Sequence, residues 1–198
     1  MSRLHPIIAV TGSSGAGTST VKESFEHMFR REGINAAIVE GDSFHRYNRA
    51  DMKQEMISAE KRGHRTFSHF GPEANLFAEM EHLFSSYGET GGGLRRLYLH
   101  NDEEAAPFAE QGITSGQFTP WAEIPAGTDC LFYEGLHGCI VTPEVDCARH
   151  VDLKIGVVPV INLEWIQKIH RDTHHRGYSE AAVTETILRR MHDYIYYI

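Results

Sequence analysis

The chain has 198 residues, 41% hydrophobic and 23% charged, with a formal net charge of −8 at pH 7. These are ordinary globular proportions with room for one substantial core, and the negative balance works against a nucleic-acid surface, which would need Lys and Arg to neutralise phosphates. No run approaches a membrane span, and "MSRLHPIIAV" lacks the apolar length and cleavage pattern of a signal peptide, so a cytoplasmic protein without a membrane partner is expected.

In chain order, "PIIAVTG" reads as a buried strand running into a glycine loop. Val21, Phe25, Met28 and Phe29 then form one helical stripe, stopped by Gly33. "AAIVEGD" repeats the pattern of strand and loop. Helices are predicted over 50–62 and 73–87, the second with Leu76, Met80, Leu83 and Phe84 as its apolar face. "GETGGG" at 88–93 reads as a flexible turn, "LRRLYLH" as a strand, and 101–126 as an irregular loop of the kind that forms a substrate lid. "CLFYEGLHG" and "VDLKIGVVP" are further strands, and two helices follow, from about 162 to 176 and from 179 onward. Alternating strands and helices predict an α/β fold with a mainly parallel sheet flanked by helices, as one domain over 1–198. The aromatic ending "YIYYI", without a glycine cap or polar tail, is expected of a domain cut short at its C-terminal side.

Three cysteines with no CxxC pair are expected to be reduced and mostly buried. Thirteen histidines lack an HExxH-type pair, which argues against a histidine metal site.

The first loop carries the chemistry. "VTGSSGAGTST" matches the phosphate-binding pattern GxxxxGK[ST] at Gly12, Gly17 and Ser19, but Thr18 stands where lysine is usual. Gly12, Ser13, Ser14, Gly15, Ala16, Gly17, Thr18, Ser19 and Thr20 would still wrap phosphates with backbone N–H groups at a helix N-terminus. The bland alternative is a glycine-serine turn. The missing cation is sought on the helix near 162–176, where Lys168, Arg171, Asp172 and His175 share one stripe. An ordinary solvated helix face is the competing reading.

Ligands of open parallel sheets bind beyond the carboxyl ends of the strands, which selects Asp42 and Glu134. Phosphoryl transfer to an alcohol needs one carboxylate for the hydroxyl proton and acidic help with the metal. His45, Arg46 and Arg49 follow Asp42 closely enough to meet a sugar phosphate. Alternatively, Asp42 caps a helix and Glu134 faces solvent.

Together, "VTGSSGAGTSTVK", "EGDSFHRYNRADMK", "TFSHF", "LFYEGLHG" and "LKIGVVPVINLEWIQKIHRDTHHRGY" closely resemble the bacterial phosphoribulokinases, over essentially the whole chain. The resemblance implies a fold like the nucleoside monophosphate kinases and ATP-dependent phosphorylation of D-ribulose 5-phosphate to the 1,5-bisphosphate of the Calvin cycle. Threonine at position 18 is usual in that family. The resemblance further implies Asp42 as base, with Lys168 as relocated cation and Asp172 as a second essential carboxylate. Ser19, Glu134 and Asp172 would serve Mg²⁺. His45, Arg49, Tyr98, His100, Arg171 and Arg176 would meet the sugar phosphate, and Arg31 an effector. Family members are typically homo-oligomers activated by NADH and inhibited by AMP, and they continue beyond the length seen here. Rival expectations are a related nucleoside kinase, disfavoured by Thr18, and a truncated module that binds nucleotide without catalysis.

Overall fold

Strand β1, Ile7–Thr11, alternates its side chains between two apolar environments, and that alternation organises the fold. The computed structural model describes residues 4–13, 15–64, 67–174 and 177–198. After β1 come helix α1 (Thr18–Glu32) and strand β2 (Ala36–Glu40). A 3-10 turn at Gly41–Phe44 leads to α2 (Arg49–Lys61), and another at Pro72–Ala74 to α3 (Phe77–Thr90). The middle of the chain holds β3 (Leu94–Arg95), α4 (Asp102–Ala105) running into the 3-10 segment Ala106–Gln111, and β4 (Ala122–Glu123). Then follow β5 (Cys130–Gly135), β6 (Leu153–Gly156), α5 (Ile161–His174) and α6 (Glu180–Tyr197).

The main sheet has the order β2-β5-β1-β6 and is parallel throughout, with Val10 and Glu40 both in register with Glu134. One face packs Ile7, Ala9, Val39 and Tyr133 against Met80, Leu83, Phe84 and Tyr87 of α3. The other packs Val10 and Phe132 against Phe25 and Phe29 of α1. Phe132 lies 5.0 Å from the Phe25 ring and 5.6 Å from the Phe29 ring. A parallel sheet buried on both faces must send its ligands to the strand ends, because helices occupy its surfaces.

Several boundaries differ from the sequence reading, each for a local reason. The helix expected over 73–87 starts at Phe77: Pro72 opens a short 3-10 turn, and Asn75 is extended at φ −128° and ψ 157°. It continues through Gly88 to Thr90, because Gly91 rather than Gly88 takes the left-handed cap at φ 73°. In "LRRLYLH" only Leu94–Arg95 pairs as strand, with β4. The irregular loop expected over 101–126 contains α4, opened by Asn101, whose side chain accepts from Glu104 N. Strand "VDLKIGVVP" shortens to Leu153–Gly156. Cys130, Cys139 and Cys147 are free thiols, and no helix among the described residues is long and apolar enough to cross a membrane.

Candidate active site

Three strands deliver three turns to the same end of the sheet. β1 runs into the glycine loop, where Gly15 and Gly17 take φ +106° and +97°, and Gly12 N donates to Gly135 O at 3.2 Å. These left-handed values suit glycine alone and turn the chain onto the first turn of α1, whose N–H groups have no partner within the helix. β2 delivers Asp42 in its 3-10 turn, and β5 delivers Glu134. The last two turns touch: a Cβ on Gly135 would stand 2.7 Å from Gly41 Cα. Ser14 of the expected loop lies outside the described residues, as does Arg176.

Asp42 is held by two imidazoles. Its Oδ1 lies 3.2 Å from His45 Nε2 and its Oδ2 3.0 Å from His100 Nε2. Behind His100, Glu104 Oε2 accepts from the backbone N at 2.8 Å and faces the ring Nδ1 at 3.1 Å. A ring whose two nitrogens both face carboxylates carries both protons, and the Asp42 hydrogen bond raises His100 to about 9. Burial alone would raise the Asp42 carboxyl, yet His45 and His100 outweigh it and hold the group well below the usual carboxylate range. The Tyr98 ring stands edge-on to His100 at 4.9 Å, and Arg49 Nη2 donates to His100 O at 2.6 Å. The structure therefore gathers Asp42, His45, Arg49, Tyr98 and His100 in one place.

A second cluster sits on α5, which lies against the glycine loop: a Cβ on Gly15 would meet Lys168 Cβ and Glu164 O at 3.3 Å each. Lys168 is buried and donates to Asp172 Oδ2 at 2.8 Å, while Arg171 Nε donates to Oδ1 at 2.9 Å. Burial pulls the Lys168 ammonium down to about 8; Asp172 opposes this, and Arg190 and Arg171 add to it. Both Asp172 oxygens accept from cations, so a metal would have to displace one of them. Tyr194 of α6 ties the assembly by donating to Glu164 at 3.2 Å.

At Glu134 the balance is reversed. Burial raises its pKa, and the nearby Asp42 and Glu40 carboxylates add to the rise, against the Thr18 hydroxyl and Lys22. Lys22 pairs with Glu40. A half-buried carboxyl short of positive charge suits a divalent cation, which fits Mg²⁺ near Glu134. No group of three His, Cys, Asp or Glu among the described residues forms a ready metal cage. Ser19 and Thr20 are exposed on the first turn of α1, and Arg31 is exposed on its last turn, paired with Glu32 at 2.8 Å.

Sequence reasoning missed several groups here. Glu104 sat in a presumed loop, although "NDEE" has the spacing of a helix capping box. Arg96 donates to Ser43 O at 2.8 Å and His45 O at 2.6 Å while its guanidinium lies 3.7 Å from the Phe118 ring centre, so it splints the turn bearing Asp42. His69, Asn75 and Arg190 gave no local signal.

The model of the phosphoribulokinase / uridine kinase family matches residues 7–198. A chromosomal phosphoribulokinase of Cupriavidus necator is 61% identical over all 198 residues, and one of Nitrobacter vulgaris 60%. The chain spans 67% of the length of each. Among solved structures, the phosphoribulokinase from Rhodobacter spheroides superposes with a TM-score of 0.83 at 55% identity, over 97% of this chain and 64% of that one. A D-glycerate 3-kinase from Cryptococcus neoformans, at 12% identity and TM-score 0.62 over 98% of this chain and 79% of that one, shares the fold.

Proposed function

The chain belongs to the phosphoribulokinase / uridine kinase family, and on that premise we propose that it transfers the γ-phosphoryl group of ATP to the 1-hydroxyl of D-ribulose 5-phosphate, the phosphoribulokinase step of the Calvin cycle. The observation that carries the reading is Asp42, placed at the end of β2 with an imidazole on each oxygen and the phosphate loop two strands away, across β5. A carboxylate fits the role of base for a hydroxyl, and flanking cations fit an anionic sugar.

In this mechanism the loop over Gly12–Thr20 wraps the nucleotide phosphates through those backbone N–H groups not already committed, as Gly12 N is to Gly135 O, and Lys168 lies beside Gly15 in place of the lysine absent at position 18. Asp172 holds the Lys168 ammonium and Arg171 in orientation. His45, Arg49, Tyr98, His100 and Arg171 face the sugar phosphate, with Arg176 as a further candidate. The incoming phosphate draws His100 away from Asp42 Oδ2, which exposes that oxygen to the substrate hydroxyl; Asp42 then accepts the proton. Mg²⁺, when bound, would supply positive charge to neutralise the phosphates. Glu134 and Ser19 are the residues to hold it, with Asp172 contributing if it releases Lys168. Phosphoryl transfer asks for little covalent chemistry, so position and charge do most of the work.

We further assign the chain to one domain and to the cytoplasm, as a homo-oligomer responding to NADH and AMP through the surface around Arg31. The test is transfer from labelled ATP to ribulose 5-phosphate, with uridine as rival acceptor and Asp42→Asn alongside. The expected result is a bisphosphate product, lost by ~10²–10⁴-fold in the variant without loss of ATP binding. Unchanged turnover in Asp42→Asn removes the assignment.

A further inference from the structure

Asn75 lies 30 residues from His45, yet its side chain decides how many protons that imidazole carries. Its Nδ2 donates to His69 O and to Gly71 O, both at 2.7 Å. Carbonyl oxygens only accept, so the amide nitrogen must point there and the side chain has one orientation. That leaves Oδ1 against His45 Nδ1 at 2.8 Å. An amide oxygen also only accepts, so Nδ1 carries a proton. The other nitrogen, Nε2, lies 3.2 Å from Asp42 Oδ1. Toward an ionised carboxylate it must donate as well.

We propose that Asn75 is a positioning residue that holds His45 as a permanent imidazolium against ionised Asp42, so that a fixed positive charge stands beside the base when the anionic sugar phosphate binds. For its catalytic meaning this rests on the proposed kinase reading; the proton inventory does not. Asn75 is 2% exposed and His45 8%, so the bond between them is shielded from bulk water, whereas the Asp42 side chain on the other nitrogen is 40% exposed and open to a ligand. The segment bearing Asn75 is clamped from α6: Asp193 Oδ2 accepts from Ser68 Oγ at 2.6 Å, and Ser68 Oγ accepts from Phe70 N at 3.1 Å. His137 Nε2 donates to Phe70 O at 2.9 Å from the β5 side. The groups facing His45 are Asp42 and Asn75, the neutral ring of His69 at 5.1 Å, buried His137, and Arg190 of α6, with Arg96 on the His45 carbonyl. Burial disfavours the His45 charge, but Asp42 and Asn75 outweigh burial and Arg190, leaving it raised.

The test is nitrogen NMR of ¹⁵N-histidine-labelled protein without substrate, titrated through the neutral range. In the parent, both His45 nitrogens should be protonated at pH 7, beyond the ordinary 6.5. Asn75→Ala should move the titration down, because the hydrogen bond that favours the charged ring is lost, and Asn75→Asp, which puts a carboxylate behind Nδ1, should move it up. A purely structural role would shift both variants alike, and that common shift would overturn the proposal. So would a neutral parent His45 with Nδ1 unprotonated, which is readable even if neither variant folds. Activity on ribulose 5-phosphate is assayed separately, so failure of the kinase reading leaves this result standing, and the reverse.

Discussion

Removing the Lys168 charge should make the protein more stable while disabling it. Folding brings that ammonium from an ordinary value of 10.5 to about 8, because burial costs it more than Asp172 returns. The difference of 2.5 units corresponds to roughly 3 kcal/mol at ~1.36 kcal/mol per unit. The sign is a penalty: at pH 7 both states hold the proton and the cost is carried in full, and it is relieved as pH rises through about 8 toward 10.5. Breaking a buried ion pair is usually destabilising, because the other ion is left alone. Here Arg171 Nε stays 2.9 Å from Asp172 Oδ1, so the carboxylate keeps a cation. Lys168→Met fills the same volume without a charge and should gain about 2 kcal/mol net of the lost hydrogen bond. At ~2–4 °C per kcal/mol for a chain of this size, the melting temperature should rise by roughly 4–8 °C. Thermal unfolding at pH 7 and at pH 10 measures it, and the gain should shrink at the higher pH. Turnover should fall by ~10²–10³-fold. A variant that loses more than about 1 kcal/mol at pH 7 would refute the reasoning, since the pair would then stabilise the fold despite its burial.

Gly135→Ala should cost ~1–3 kcal/mol, because the new methyl would stand 2.7 Å from Gly41 Cα; denaturant melts measure this, and an unchanged midpoint would mean that the two turns separate freely. Glu104→Gln should bring His100 down from about 9 toward 6.5, since one of its two carboxylates is gone, which histidine NMR would show as a lower titration midpoint. The His100 contact is about a third exposed, so its contribution to stability should be only ~1 kcal/mol after screening. Because its folded value is raised, that contribution is complete below 6.5 and lost as pH rises through about 9; comparing the parent with His100→Gln at pH 6 and pH 10 should show the gap closing. Arg96→Lys should slow turnover more than it weakens ATP binding, because lysine cannot reach both Ser43 O and His45 O with one planar fork; equal losses in both would assign Arg96 to nucleotide binding.

The parts legible in the sequence were those whose signal is local. The Gly12–Thr20 loop shows its spacing within nine residues, and Lys168 and Asp172 show theirs within one helical turn. Asp42 and Glu134 were found because a buried strand announces its own end. Element boundaries failed where a side chain competed with the backbone: Asn75 draws the chain into an extended conformation that helical periodicity alone does not foresee. Arg96 looked like strand because it stands in the leucine-rich run "LRRLYLH", yet its partners are carbonyls about 50 residues away. Asn75 carries no pattern at all, since its meaning depends on a histidine brought to it by the sheet. Pairings of this kind belong to tertiary structure and have no period to read.

The clamp between Asp193 and Ser68 also bears on how the protein is made. A ribosome working at ~5–20 residues per second releases His45 roughly 7–30 s before Asp193. Until α6 arrives, Ser68 lacks its acceptor, Glu164 lacks the Tyr194 hydroxyl, and Arg190 is absent from the neighbourhood of Lys168. The nascent chain can therefore assemble its sheet and phosphate loop well before the contacts at Ser68, Glu164 and Lys168 that depend on α6 are in place. The contacts that α6 makes with Ser68, Glu164 and the neighbourhood of Lys168 form together when that helix docks, after the sheet on which they rest.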